Sequence, residues 1–565
     1  MVQGQENASS ISGTIYDDLE GRPLPFIAIY KKKDRKGTTT DFNGRYSLDN
    51  VLNSDTVIIN AIGYQKTSFT GKQLADKDTV HLRREVQLID EVVVLADSFI
   101  LYRLISEAKK TPSKLRQIGK SYLELETYCN NNQLELFQGY YNGTFKGYNV
   151  ESVSMKNGRF ALSPMGKRIF ASTEVSKAIY KHKLLEANDY FPYSPFEYNR
   201  RKLRKNYRLS LNSKYRNDQN EVIYIVRFQP IKDVAQHFAG RVWIDSASHA
   251  IRKVKFEIEE AKRHPFKALW PEHTLKKVNM EITKTFRYFR GGLYVDNIDF
   301  NYGLDYVSNQ DSVLTIKSQA MLKPYTFEDQ FSLPKFKFAR MSNNDYRTLQ
   351  MLPRNNDFWT CDSEFKPNEN NEQRQQYMEK ESTITNEKLF SGDSIFKRNF
   401  FESPYVTWNG NRIFMREEMP EKELKTVHTF DRVSTTSQQY HLEVQLFADL
   451  TEACDSTTLI SKTIFDPYES FYRLPMTTER HIFINLYFDL MEIERRKFES
   501  AMRAGELTSE RLNQEYRNAI ESMNKVSSKF FREVERGTQS RYLKEWNERV
   551  KNELKIDNLE LFNNP

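Results

Sequence analysis

Between residues 120 and 335 the chain alternates apolar and polar side chains with a period of two, and this limits the possible folds more than any other feature. Val254, Phe256 and Ile258 alternate with Lys253, Lys255 and Glu257. Val278, Met280 and Ile282 alternate with Asn279, Glu281 and Thr283, and Leu123, Leu125 and Thr127 alternate with Glu124 and Glu126. A period of two puts successive side chains on opposite faces of a strand. Each segment therefore predicts a β-ribbon with one dry face and one wet face. Asn157-Gly158 predicts a two-residue hairpin turn, and Gly291-Gly292 turns the chain into Leu293, Val295, Ile298 and Phe300. The dry face of such a sheet must be covered by a helix, another domain, a ligand or a partner.

The flanks differ from this middle. Residues 9–86 read as short strands around turn signals such as Asp41-Phe42-Asn43-Gly44, which predicts a small β-sandwich. Leu101, Leu104, Ile105 and Ala108 fall at helical spacing, and Pro112 stops that helix. Residues 98–340 then form one predicted domain, a helix plus an antiparallel sheet. Residues 341–385, with the polar run Lys366 to Gln376, predict a linker, and 386–475 return to β-like text. Residues 478–556 predict a helical hairpin with an added helix, broken near Gly505 and Gly537. The fold class is mainly β with α.

Composition excludes several classes. Aromatic residues, 38 Phe and 31 Tyr in 565, are too many for a disordered chain. The 84 basic residues barely exceed the 76 acidic ones, so nucleic acid is not an indicated partner. No apolar run of about eighteen residues exists, so no membrane-spanning helix is predicted. Cys129, Cys361 and Cys454 form no C-x-x-C, and their pairing stays open. Met1 to Asn7 is polar, without the apolar core of a leader peptide.

Chemistry-bearing motifs are scarce. None of the nine histidines begins H-E-x-x-H or H-x-x-E, and no G-x-S-x-G, Walker loop or G-x-G-x-x-G occurs. No catalytic residue, metal ligand or cofactor site is assigned. Asp489, Glu492, Glu494 and Glu499 beside Arg495, Arg496 and Lys497 read as a salt-bridged helix face. The sharpest charge feature is Arg200-Arg201-Lys202-Leu203-Arg204-Lys205-Asn206-Tyr207-Arg208. It reads either as a solvated loop beside a strand or as a contact for phosphate-bearing surfaces, with Arg200, Arg201, Lys202, Arg204, Lys205 and Arg208 as candidates.

Gly13, Pro23-Leu24-Pro25, Thr40-Asp41, Asn43-Gly44-Arg45-Tyr46 and Gly63-Tyr64 carry a family resemblance. Residues 9–86 resemble the carboxypeptidase regulatory-like domain, a transthyretin-like β-sandwich that is not itself a peptidase. In that family the module commonly opens outer-membrane receptors and other surface proteins of diderm bacteria. The following run Asp90-Glu91-Val92-Val93-Val94 looks like the segment that can serve as a TonB box there, but it reads first as a plain strand. Lys156-Asn157-Gly158-Arg159 and Gly240-Arg241-Val242-Trp243-Ile244-Asp245 are similar, more weakly, to uncharacterised envelope proteins with this layout. The latter looks like lipoprotein-carrier sheets, in which a curved sheet holds acyl chains.

The resemblance implies a place in the cell envelope, periplasmic or associated with the outer membrane, and a leader trimmed or omitted. The expected role is a non-enzymatic scaffold or accessory factor with outer-membrane or periplasmic protein partners. One alternative is a lipid or lipoprotein carrier, with Trp243, Val254, Phe256 and Ile258 as the apolar ligand face. Another is a hydrolase of envelope polymers.

Overall fold

In the computed structural model, the described residues run through 8–83, 98–163, 179–337 and 440–563 with short gaps, plus a few short pieces between 345 and 413. The Asp90–Val94 run, most of the 341–385 segment, Cys361 and Cys454 lie outside them. The chain divides into two units, one formed by 1–331 with 364–383 and the other by 332–363 with 384–565.

The turn residues of the first segment explain its strands. Gly44 adopts φ +74°, and a Cβ there would stand 2.6 Å from the Ile15 carbonyl oxygen, so the turn requires glycine. Asp41 closes the same turn by accepting hydrogen bonds from the Asn43 and Arg45 backbone N–H groups at 2.8 and 2.9 Å. Thr40 ties two loops, donating to the Leu24 carbonyl at 2.7 Å and accepting from Ile27 N–H at 2.9 Å. The strands so organised are β1 (Ser9–Asp17), β2 (Ala28–Lys31), β3 (Gly37–Thr39), β4 (Arg45–Val51), β5 (Thr56–Asn60), β6 (Thr67–Thr70) and β7 (Thr79–Leu82), with helix α1 (Gly71–Ala75) between the last two. They make two sheets, ordered β4-β1-β7 and β3-β2-β5-β6. β7 runs parallel to β1. Ile11, Ile15, Ile29, Tyr46, Leu48, Val57, Ile59 and Leu82 form the shared core.

The middle is one ten-stranded sheet, every neighbour antiparallel, in the order β10-β9-β8-β17-β16-β15-β14-β13-β12-β11. Its strands are β8 (Arg116–Cys129), β9 (Asn132–Lys146), β10 (Asn149–Leu162), β11 (Tyr207–Arg216), β12 (Val222–Pro230), β13 (Ala239–Asp245), β14 (Ile251–Ile258), β15 (Thr274–Phe289), β16 (Gly292–Val307) and β17 (Val313–Pro324). Helix α2 (Ser98–Ala108) buries Leu101, Leu104, Ile105 and Ala108, and Tyr102 Oη donates to the Tyr207 carbonyl of β11 at 2.8 Å. A second helix, α3 (Arg200–Asn206), leads directly into β11.

Two local readings change. Asn157-Gly158 is no turn; it lies inside β10, opposite Tyr140 and Gly139, just past a register shift at Met155/Asn157. The pairing with β9 outweighs the local turn preference, and the extra residue is absorbed as a bulge. β8 and β9 also lack a wet face. Glu124, Glu126 and Glu135 are 1, 5 and 2% exposed. Tyr122 Oη and Gln138 Nε2 both donate to Glu124 Oε2, at 2.6 and 2.9 Å, so this buried carboxylate is hydrogen-bonded.

The second unit begins with strands β18 (Val406–Thr407), β19 (Tyr440–Ala453) and β20 (Ser456–Tyr472), in the order β18-β20-β19. The helices α4 (Thr478–Arg503), α5 (Ser509–Val534), α6 (Ser540–Leu554) and α7 (Asn558–Asn563) follow. α4 is central and packs on the strands and on all three other helices; Phe483, Leu486, Leu490 and Ile493 are at most 1% exposed. The salt-bridged face expected on α4 forms, with Arg495 on Glu492 and Lys497 on Glu494 at 2.8 Å each, but its carboxylates are largely interior. Asp489 is fully buried and pairs at 2.8 Å with Arg412, which comes from a different segment. Trp408 Nε1 and Asn558 Nδ2 each donate to the same carboxylate at 2.8 Å. Glu492 accepts from Thr463 Oγ1 of β20 at 2.8 Å and from Arg495 at 2.8 Å.

Removing one partner of a buried pair strands the other charge. Asp489→Ala is expected to destabilise the second unit by about 3–5 kcal/mol in urea unfolding. The double variant Arg412→Met, Asp489→Leu recovers most of that loss. A double-variant loss equal to the sum of the two single-variant losses would mean that the pair carries no coupling.

Candidate binding surfaces

The basic run folds as a helix, not a loop. Asn199 Oδ1 caps α3 by accepting from Lys202 N–H at 3.0 Å, and Leu203 is its single buried side chain. One apolar anchor in seven residues leaves the cations to the outside. They divide into two groups. Arg200 and Arg204, one turn apart, lie 4.0 and 5.2 Å from the Phe99 ring of α2, and Arg204 also lies 5.5 Å from the Tyr102 ring. These two hold α3 against α2. Arg201, Lys202, Lys205 and Arg208 are exposed, and among the described residues no carboxylate pairs with them.

The four apolar candidates do not share a face. Val254 stands opposite Val242, and Phe256 opposite Gly240. Trp243, one residue from Val242, projects to the other side, where Lys253 Nζ lies 5.2 Å from its ring. With Val242 opposite Val254, strand alternation requires this separation. Val254, Phe256 and Ile258 are together and buried, at 0, 0 and 7% exposure. The chain's own rings cover Phe256: His182, Phe196, Phe228 and Phe238 lie 5.3, 6.1, 5.8 and 5.1 Å from it.

That same face carries a lysine that the sequence reading passed over. Lys284 stands opposite Val254 in the β14–β15 register, is 1% exposed, and donates through Nζ to the His182 carbonyl. Burial lowers its pKa to about 7. Burial, and then the nearby Lys284, push the His182 imidazole well below its ordinary range. The signal was present in the sequence, because Met280, Ile282, Lys284 and Phe286 share one parity.

A second titratable group lies where the segment before α3 meets the turn after β12. Tyr198 Oη and His237 Nε2 are 2.9 Å apart, and His237 Nδ1 lies 3.0 Å from the Asp233 carbonyl. Lys109 Nζ donates to the Tyr198 carbonyl at 3.0 Å. Glu197 accepts from Ser194 N–H at 2.9 Å, and burial raises its pKa to about 7. Arg263 stacks on Tyr193 at 4.1 Å. Each of these groups is engaged in bracing the 193–198 segment. Among the described residues no group of three or more His, Cys, Asp or Glu side chains is placed to hold a metal ion. Cys129 is a buried free thiol whose pKa burial raises. No described helix is long and apolar enough to cross a membrane, which says nothing of β-barrels.

Residues 11–94 match the model of the CarboxypepD_reg-like domain, so the chain carries that domain at its N-terminus. Gly13, Thr40, Asp41, Gly44 and Tyr64 are the residues that brace its turns and core. Over 89 residues the chain is 35% identical to TonB-dependent receptor P39 of Formosa agariphila. That stretch is 15% of this chain, and the chain spans only 8% of the curated relative's length. Similar solved structures include a putative outer membrane lipoprotein-sorting protein domain from Vibrio parahaemolyticus, with TM-score 0.19 and 11% identity over 40% of this chain and 92% of that one. A LolA superfamily protein from Nitrosomonas europaea gives TM-score 0.16 and 8% identity over 40% and 92%. The MucB structure gives 0.15 and 8% over 41% and 94%. At these scores the superpositions do not establish a common fold.

The two buried groups give opposite pH dependences. The folded chain holds the Glu197 proton up to about pH 7, against 4.5 for the ordinary group. It therefore binds more protons in that window, and stability falls as pH rises through it. Glu197→Gln is expected to gain about 2 kcal/mol over the parent near pH 8 and almost nothing near pH 4, read from urea midpoints. Lys284 acts in reverse. Its folded pKa lies near 7 against 10.5, so its contribution to stability grows as pH rises from 7 toward 10.5. Lys284→Met is expected to be more stable than the parent near pH 6, with the gap closing above about pH 10. A gap independent of pH would mean that Lys284 has the same pKa in the folded and the unfolded chain.

Proposed function

We propose that this chain is a non-enzymatic envelope protein, a scaffold or accessory factor at the periplasmic face of the outer membrane. The observation that carries the proposal is the N-terminal match to a domain also found in a TonB-dependent receptor. A regulatory-like β-sandwich supplies a docking module rather than a reaction centre. The interior of the large sheet favours the same reading, since the rings around Phe256 fill the face that a lipid carrier would need open. Carriage of an acyl chain would require the segment bearing His182 and Phe196 to leave that face. Hydrolysis would require a titratable pair facing a substrate, whereas Tyr198 and His237 face each other. The partners proposed are outer-membrane or periplasmic proteins, with no bound cofactor.

Fractionation of the native source tests the proposal. The full chain is expected in the envelope fraction and, after crosslinking in intact cells, in defined complexes with envelope proteins. Recovery confined to the cytosolic fraction would remove the envelope assignment. A retained lipid in native mass spectra would move the role to the carrier.

A further inference from the structure

The turn after β12 exposes two large aliphatic side chains, Ile231 at 53% and Val234 at 63%. Isolated exposed aliphatics are ordinary, but these two stand together on a turn shaped by Asp233 at φ +50°. The turn is fixed on both sides. Ile231 N–H donates to the Asn206 carbonyl at the end of α3 at 2.8 Å, and Lys262 N–H donates to the Ala235 carbonyl at 2.8 Å. Holding the turn against α3 sets its aliphatics beside the free cations of that helix. Arg201, Lys202, Lys205, Arg208 and Lys232 are all exposed there.

Next to the turn is an open groove of about 580 Å3. Its lining mixes Ile231, Val234 and Ile258 with Arg208, Glu257 and Glu259. Arg208 leads onto a basic strip along the outer face of the sheet, because Gln229 opposite it shares a face with Arg227, which stands opposite Arg241. Two arginines directly opposite on neighbouring strands repel unless an anion lies between them. Lys255, next in that row, is neutralised by Glu257 and Glu281 at 2.8 Å each; among the described residues Arg227 and Arg241 have no such carboxylate.

We propose that this end of the sheet docks on an anionic phospholipid bilayer, with Ile231 and Val234 entering the headgroup–acyl boundary and the cations of α3 and β11 meeting the phosphates. Protruding apolar side chains beside a cluster of basic ones match the layered chemistry of a bilayer surface, with Glu257 and Glu259 lying in the groove beside them. An acidic protein would engage the cations but would leave two protruding aliphatics without a role. The inference stands apart from the envelope assignment: a cytosolic chain that binds such vesicles would keep this proposal and lose that one.

The test is flotation of the full chain with vesicles of phosphatidylcholine alone and with phosphatidylglycerol added. Binding is expected only to the anionic vesicles and is expected to weaken with salt. Lys202→Ala with Lys205→Ala should cost about 25-fold in affinity, at roughly fivefold per cation near an anionic surface. Ile231→Ser with Val234→Ser should cost about tenfold or more. All four positions are exposed, so both variants are expected to fold, and unchanged melting curves check this. Val234→Trp should shift its fluorescence to the blue on adding anionic vesicles. Failure to bind, or equal binding to both compositions, overturns the proposal. Loss of binding in the lysine variant alone, with no shift in V234W, also overturns it and points to a free phosphate or an acidic protein.

Discussion

The central sheet depends on one pairing, that of β17 with β8. Every other neighbour in the sheet is also a neighbour in sequence and is joined by a turn or a single connection. β17 meets β8 in unbroken register from Pro324↔Ser121 to Ile316↔Cys129. Without it the ten strands would be two ribbons, β8–β10 and β11–β17, each with an open edge. The contact is fastened by Thr127 Oγ1 and Ser318 Oγ at 2.9 Å, across 191 residues of sequence, and both side chains are buried. Closing so long a loop costs entropy before any contact repays it, so this register is expected to form late in folding. The burial of β8 and β9 on both faces supplies the compensation, through side chains such as Leu123, Leu125, Phe137 and Tyr140.

Burial on two faces also explains why polar groups enter the interior. A strand next to the β8–β17 junction keeps its alternation in sequence, but the side meant for water receives other chain. Glu124 is then tolerable only with Tyr122 and Gln138 as donors, and Glu135 with Thr127 as one donor. The second unit solves the same problem around α4. Over 482–494 α4 is buried all round and cannot keep its acidic residues at a surface, so Asp489, Glu492 and Glu494 each draw partners from separate segments: Arg412, Thr463 and Ser522. These networks specify how the segments meet rather than adding much net stability.

The strands themselves were legible, because period-two alternation survives wherever one face is dry. β14 to β16 appear where Val254, Met280 and Phe300 place them. Reading failed where a face changed character. The Asn157-Gly158 pair carries a strong local turn signal, yet long-range pairing with β9 kept it in a strand. The helical nature of 200–206 was hidden because its only apolar anchor is Leu203, too few for a periodic signal. Grouping Trp243 with Val254 ignored alternation across the β13–β14 pair, which the residue numbers alone could not reveal without the register. Lys284 has the parity of Ile282 and Phe286, but its charge hides its place on the dry face. What could not be read at all was the division of the basic run, since the stacking of Arg200 and Arg204 on Phe99 depends on a helix about one hundred residues earlier.

That division bears on how the two surfaces of the first unit relate. The 182–198 segment fills the dry face with rings, and it is held there by polar contacts: Lys284 to the His182 carbonyl, Arg263 to the Asn188 carbonyl at 2.6 Å, and Tyr207 to the Tyr193 carbonyl at 2.8 Å. All three acceptors are backbone carbonyls, so the cover is fixed by chain position as much as by side-chain fit. The same segment ends at Asn199, which caps α3 and so sets the direction in which Arg201, Lys202 and Lys205 project. Filling the sheet and presenting the basic edge are therefore consequences of one stretch of chain. A substitution that loosened the segment would expose Phe256 and at the same time misplace the cations, because the cap residue and the plug share a backbone.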